Sequence, residues 1–113
     1  MERVKFQRET VRRLLTKYAE IINRSPLPNQ EVEVVFDEQH DHYFLTTLGW
    51  RKEQRIKGNI VHIRLRNGKI WIEEDGLEQG IATDLLEAGI AKEEIVLAFH
   101  PPEMRPYTEF AVA

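Results

Sequence analysis

Residues 59–80 read NIVHIRLRNGKIWIEEDGLEQG, and this stretch decides the fold. Asn67-Gly68 interrupts two runs in which apolar and polar residues alternate. A two-residue hairpin loop needs left-handed backbone angles at both central positions, which Asn and Gly adopt at least cost. The loop sets the register: Arg66 faces Lys69, Leu65 faces Ile70, Arg64 faces Trp71, Ile63 faces Ile72 and His62 faces Glu73. Successive side chains of a strand point to opposite faces. Val61, Ile63, Leu65, Ile70 and Ile72 therefore share a core face. His62, Arg64, Trp71 and Glu73 share the other, with a cation expected over the indole and His62 beside a carboxylate.

Working outward, residues 31–36 form a strand with Val32, Val34 and Phe36 on one face. Residues 37–41 are a polar loop. Residues 42–50 are a second strand, rich in β-formers. A charged loop at 51–55 leads into a third strand, 56–66, bent or bulged near Gly58. Residues 69–74 are the fourth. Short loops between consecutive strands predict an antiparallel meander. Ahead of it, Val4, Val11, Leu14, Leu15, Tyr18, Ile21 and Ile22 recur at helical spacing over residues 3–24, with Phe6 off the stripe and free to touch a second surface. Pro26 and Pro28 end that helix. After Asp75-Gly76, residues 77–88 predict a second helix with Ile81, Ala82, Leu85 and Leu86 inward. Gly89 is placed as its left-handed cap, with Ile90 supplying the apolar contact. Residues 91–94 add one more turn, and 95–99 is a short apolar strand broken by His100-Pro101-Pro102. Pro106 keeps the segment after it extended, and the apolar ending, residues 107–113, is expected to dock. The fold class is α+β in a single domain, residues 1–113: an N-terminal helix on an antiparallel meander sheet, a second helix and short C-terminal strands.

The chain of 113 residues is long enough to bury about two thirds of its unfolded surface without staples. It has no cysteine, which excludes disulfides, thiolate zinc sites and thiol nucleophiles and fits a reducing cytoplasm. The charged start MERVKFQRET does not read as a signal peptide, and no apolar run approaches membrane-spanning length. The net charge of −3 conceals segments: net +4 over 1–30, −5 over 31–50, +6 over 51–70 and −8 over 71–113. Pairing of neighbouring elements accounts for such blocks. The alternative is a basic stripe for nucleic acid, carried by Lys5, Arg8 and Arg12 on the helix and Arg51, Lys52 and Arg55 in the loop.

Candidate chemistry is sparse. His40 and His42, with Asp37 across the hairpin, have the residue types of a divalent-metal site, or are a solvated hairpin tip. His62 with Glu73 resembles a base held by a carboxylate, but no nucleophile accompanies it. Glu73, Glu74, Asp75 and Glu78 are magnesium-ligand types, yet acids at a helix entry are equally at home in solvent. Gly76, Gly80 and Gly89 lack the Lys-Ser/Thr of a phosphate loop. No catalytic residue, metal or cofactor is assigned. The most distinctive segment is His100-Pro101-Pro102-Glu103-Met104-Arg105-Pro106-Tyr107, a stiff piece read as a recognition surface or as a loop joining two strands.

Taken together, His42-Tyr43, Gly49-Trp50, the run Gly68 to Ile72, Gly80-Ile81-Ala82, His100 after its apolar strand, and Arg105 with the Thr108 to Ala113 ending resemble the XisI-like family. These are fdxN-element excision controlling factors, found mostly in cyanobacteria. Leu77 and Lys57 depart from the family pattern, where Thr and His are common. The resemblance implies a non-enzymatic control protein of a DNA rearrangement that binds a protein partner, XisH-like, or a homo-oligomer. His100, Pro101, Arg105, Tyr107 and Phe110 are the residues expected to meet that partner. Direct DNA binding and a metal-dependent hydrolase using Asp37, His40 and His42 are the alternatives.

Overall fold

The computed structural model describes residues 2–24 and 29–113. Helix α1, Glu2–Arg24, buries Val11, Leu14, Leu15 and Ala19, with Tyr18 and Ile22 partly covered beside them. The predicted stripe holds at Val11, Leu14, Leu15, Tyr18 and Ile22, but Ile21, expected on it, is 45% exposed. The prolines expected to end the helix, Pro26 and Pro28, lie outside the described residues.

Four antiparallel strands come next: β1 Gln30–Asp37, β2 His42–Arg51, β3 Gln54–Arg66 and β4 Lys69–Asp75. Asn67 (φ 54°) and Gly68 (φ 74°) take the left-handed angles that the tight turn requires. The predicted pairs hold from Arg66↔Lys69 to Ile63↔Ile72, and then a bulge intervenes. Glu73 is the extra residue, so His62 stands opposite Glu74 and not Glu73. A second irregularity, expected near Gly58, falls at Ile60, where Leu45↔Val61 gives way to Thr46↔Asn59. The extra residue turns Ile60 toward the core beside Val61.

Strand β5, Ile95–Leu97, runs parallel to β4, giving the order β1-β2-β3-β4-β5. The meander is therefore antiparallel with one parallel edge strand added through α2. Helix α2, Ile81–Glu87, starts later than residues 77–88 predict. The Asp75 carboxylate accepts from the N–H of Leu77 (3.1 Å) and of Ile81 (2.7 Å), which holds the intervening residues in a turn until the first helical N–H. Gly89 (φ 101°) donates to the Leu86 carbonyl and buried Ile90 to the Leu85 carbonyl, the expected left-handed ending. Leu86, expected inward, is exposed. A 3-10 turn at Lys92–Glu94 leads into β5.

Two C-terminal expectations change. Residues 102–107 are a 3-10 helix, Pro102–Tyr107, and not an extended piece. Proline suits a 3-10 turn wherever its missing N–H is not needed and φ near −65° is. The ending docks, but by a single parallel bridge, Val96↔Ala111, and not as a full strand. Phe110 packs partly against the core.

The core is one layer, between the helices and one face of the sheet. Tyr43, Leu45, Val61, Ile63, Ile70, Ile72, Ile81, Leu85 and Ile95 are fully buried in it. Tyr18 of α1 donates to the Asp84 carboxylate of α2, and burial together with that carboxylate pushes its hydroxyl up to about 12. Helices α1 and α2 both pack on the core face, and the 3-10 helix Pro102–Tyr107 reaches the second face at Trp71; among the described residues no helix is long and apolar enough to cross a membrane.

Candidate functional site

The C-terminal segment is organised by Arg105. Its guanidinium donates to the carbonyls of His100 (3.0 Å), Ala98 (3.4 Å) and Val112 (3.4 Å) and lies 5.6 Å from the centre of the Trp71 ring. Arg66 approaches the same ring at 5.9 Å, and the indole N–H donates to the Arg66 carbonyl. Arginine presents several donors in a fixed planar fork, so one side chain ties two stretches of backbone, 98–100 and Val112, together. The sequence predicts Arg64 as the cation over Trp71. Arg64 keeps its place opposite Trp71, but its guanidinium donates to the Glu73 carboxylate (3.0 Å). Of the five residues expected to meet a partner, Arg105 is spent on the chain's own backbone and Phe110 on the core. His100 is half-buried with its ring 4.7 Å from that of Phe99. Pro101 is exposed and Tyr107 is 85% exposed, so these two are open to contact.

On the open face, cross-strand register places His42 with Arg64 and Phe44 with His62. His42 Nδ1 and His62 Nε2 lie 3.0 Å apart, and His62 stacks on Phe44 with ring centres 4.2 Å apart. One nitrogen of such a pair donates and the other accepts. Burial, with His42 adding to it, pulls the His62 pKa below its usual value. His62 is thus partnered by an imidazole and not by the carboxylate that the sequence suggests.

The candidate metal cluster does not assemble. Asp41 has a left-handed backbone (φ 55°), so His40 and His42 are not alternate residues of one strand. His40 bonds Asp37 at the exposed hairpin tip (2.8 Å), and that bond holds the Asp37 carboxyl below its usual range. His42 points to the open face. Among the described residues no three His, Asp or Glu side chains converge. The acid run is likewise dispersed: Glu73 goes to Arg64, Glu74 to Asn59 and Asp75 to backbone N–H groups.

The basic residues divide into two groups. Arg8 donates to Asp41 and Tyr43 beneath α1, and Arg12 pairs with Glu38. Burial raises the Asp41 carboxyl, but the bonds from Arg8 and Tyr43 outweigh it and hold the carboxyl below its usual value. Tyr43 is pushed up to about 12, chiefly by burial. Lys5 is exposed on α1, near the Asn67-Gly68 end where Gln7 donates to the Gly68 carbonyl. Arg51, Lys52 and Arg55 are exposed at the other end of β3. Its length separates the groups by roughly 40 Å. There Arg55 covers the half-exposed Trp50 ring at 5.1 Å.

Two side chains escaped the sequence reading. Gln7 is fully buried and donates to the Gly68 carbonyl (2.8 Å) and to Glu94 (2.7 Å), while its Oε1 meets no donor among the described residues. Asn23 is the second. Its amide donates to the Val32 carbonyl (2.8 Å) and accepts from the Val32 N–H (3.1 Å). A polar residue near a helix end has no apolar period to reveal it, and Asn23 finds its partner only when the end of α1 is brought to Val32 on the edge of β1.

The XisI protein family model matches residues 1–112 of the chain. An XisI-like protein from Anabaena variabilis ATCC 29413 has a solved structure that is 32% identical, with a TM-score of 0.88, over 98% of this chain and 99% of that one. The fdxN element excision controlling factor XisI from Anabaena variabilis ATCC 29413 is 36% identical, with a TM-score of 0.84 and the same coverage. A comparison with curated proteins found no match. The match over residues 1–112 and the shared fold along nearly the whole chain show that this chain belongs to the XisI family.

Proposed function

We propose that the protein is a non-enzymatic control factor of element excision that works by binding a protein partner, XisH-like. The observation that carries this reading is likeness along the full chain to the fdxN element excision controlling factor XisI. The geometry supports it in a second way. Charged groups that the sequence offers for chemistry or for nucleic acid serve structure: Glu73 bonds Arg64, Asp75 holds the entry to α2, and Arg8 bonds Asp41. Exposed apolar side chains remain at Val35, Phe99, Met104, Tyr107 and Val112. Co-expression with the product of the adjacent gene tests the reading. A complex that survives size-exclusion chromatography at micromolar concentration is expected; two folded proteins that elute separately would refute it.

A second reading, direct contact with nucleic acid, rests on the β2–β3 tip. Arg51, Lys52 and Arg55 are exposed there beside Trp50, and base-stacking aromatics among cations suit a phosphate backbone. The helix residues Arg8 and Arg12 drop out of that surface, since both are paired with acids. Binding to a labelled oligonucleotide would weaken steeply as salt rises, and no binding at low salt would end this reading.

A further inference from the structure

We propose that the outer edge of β1, from Glu33 to Asp37, is a docking site for an extended segment of another protein, one that alternates basic with apolar residues and adds to the sheet as a sixth strand. The proposal rests on the partner-binding reading above and names its surface.

Backbone geometry comes first. In an antiparallel pair, residues alternate between those bonded to the neighbouring strand and those whose N–H and C=O face away. Asn23 holds both polar groups of Val32, so Val32 faces away from β2. Two residues on, Val34 faces the same way, and Phe36 after it. Among the described residues no hydrogen bond reaches the outward groups of either. The opposite edge is treated differently. Ala111 bonds the Ile95 carbonyl (2.8 Å), and the segment stapled by Arg105 lies beside β5. Folded proteins cover, shorten or twist their edge strands because bare ones recruit other strands. Here one edge is covered, the other is blocked at Val32, and the ladder beyond Val32 is left open.

Side chains then choose the occupant. Val34 and Phe36 point toward α1, where Glu9, Arg12, Arg13, Thr16, Lys17 and Glu20 line a groove of about 540 Å³ with Phe36. Glu33, Val35 and Asp37 point to the open face, and Val35 is 50% exposed. A strand laid on this edge must offer apolar side chains opposite Val34 and Phe36 and cations opposite Glu33 and Asp37. A second copy fits poorly in the register that uses the whole of residues 33–37. Residues 31–50 hold no Lys or Arg, and antiparallel pairing of β1 with itself about Val35 sets Glu33 against Asp37 twice. Like charges directly opposite destabilise such pairs. The charge pattern therefore disfavours that self-pairing and selects a basic partner.

The test is a heteronuclear NMR titration of the whole chain with acetyl-Lys-Val-Lys-Val-Lys-amide and, separately, with acetyl-Glu-Val-Glu-Val-Glu-amide. The Lys peptide should shift the Val34 and Phe36 amides and slow their hydrogen exchange, with a Kd about tenfold lower than that of the Glu peptide. Val34→Pro removes one outward N–H without touching a bond to β2, and edge strands tolerate proline. It should abolish these effects while the thermal transition persists. Glu33→Lys, which leaves the backbone alone, should erase the preference for the Lys peptide. Equal binding of the two peptides, shifts that spare Val34 and Phe36, or unchanged binding by folded Val34→Pro would each overturn the proposal. A dimer that Val34→Pro dissociates would overturn it in favour of a second copy. If the adjacent gene's product binds Val34→Pro as well as the parent chain, the partner reading stands and this surface falls; if it never binds the parent chain, the partner reading itself falls.

Discussion

The two edges of the sheet receive opposite treatment. At β5 the chain returns on itself: Arg105 bonds three carbonyls, stacks on Trp71, and brings Ala111 onto the strand. At β1 a single side chain, Asn23, imitates a strand at Val32 and goes no further. Both devices satisfy backbone groups that would otherwise pair with another chain. They differ in reach. A tail covers a run of backbone, and an amide covers one residue. The edge that the sequence marks as a recognition surface is the closed one, and the edge that carries no such mark is the open one.

The largest expected effect comes from cutting the Arg105 staple. Arg105→Ala removes charge-assisted bonds and the contact with Trp71, and should cost about 2–3 kcal/mol in chemical denaturation. Hydrogen exchange at the Ala111 amide should rise with it. Arg105→Lys should not restore protection, because an ammonium lacks the planar fork. A stable variant with Ala111 still protected would show that the tail docks without the staple.

Asn23→Ala tests the other edge. It frees both backbone groups of Val32 and should cost about 1 kcal/mol. The acids of β1 should keep the variant monomeric at neutral pH in sedimentation. Association that appears only in acid would show that charge and not Asn23 guards this edge against self-pairing.

Between the edges, His62 makes stability depend on pH. Its folded pKa is lowered, so the unfolded chain binds its proton first, and stability is lost as pH falls below the unfolded value of about 6.5. The Asp41 carboxyl is also depressed, but as an acid: its contribution persists above about 4 and is lost as pH falls through the folded value. The melting temperature should therefore decline in two separate steps. His62→Gln should flatten the upper step and leave the lower one.

The smallest effect belongs to Tyr107→Ala. The side chain is 85% exposed and should change stability by less than about 0.5 kcal/mol. Any loss of partner binding in that variant would be a true contact, and would return the partner surface to the C-terminal segment.

The sequence by itself determined the helix, the four-strand meander, the Asn67-Gly68 turn and the Gly89 ending, because each is written in local chemistry: a period of apolar residues or a left-handed backbone that few residues tolerate. Its family marks also held over the chain. The tertiary structure alone decided the rest. One extra residue at Glu73 took that carboxylate from opposite His62 and left it with the Arg64 guanidinium, and a bulge has no signature in the alternation that it breaks. Asp41's left-handed turn parted His40 from His42. Arg105 and Asn23 show the same limit from the other side. A polar side chain's role is set by what lies within about 3 Å of it, and that is fixed by residues distant in sequence only once the strands have paired.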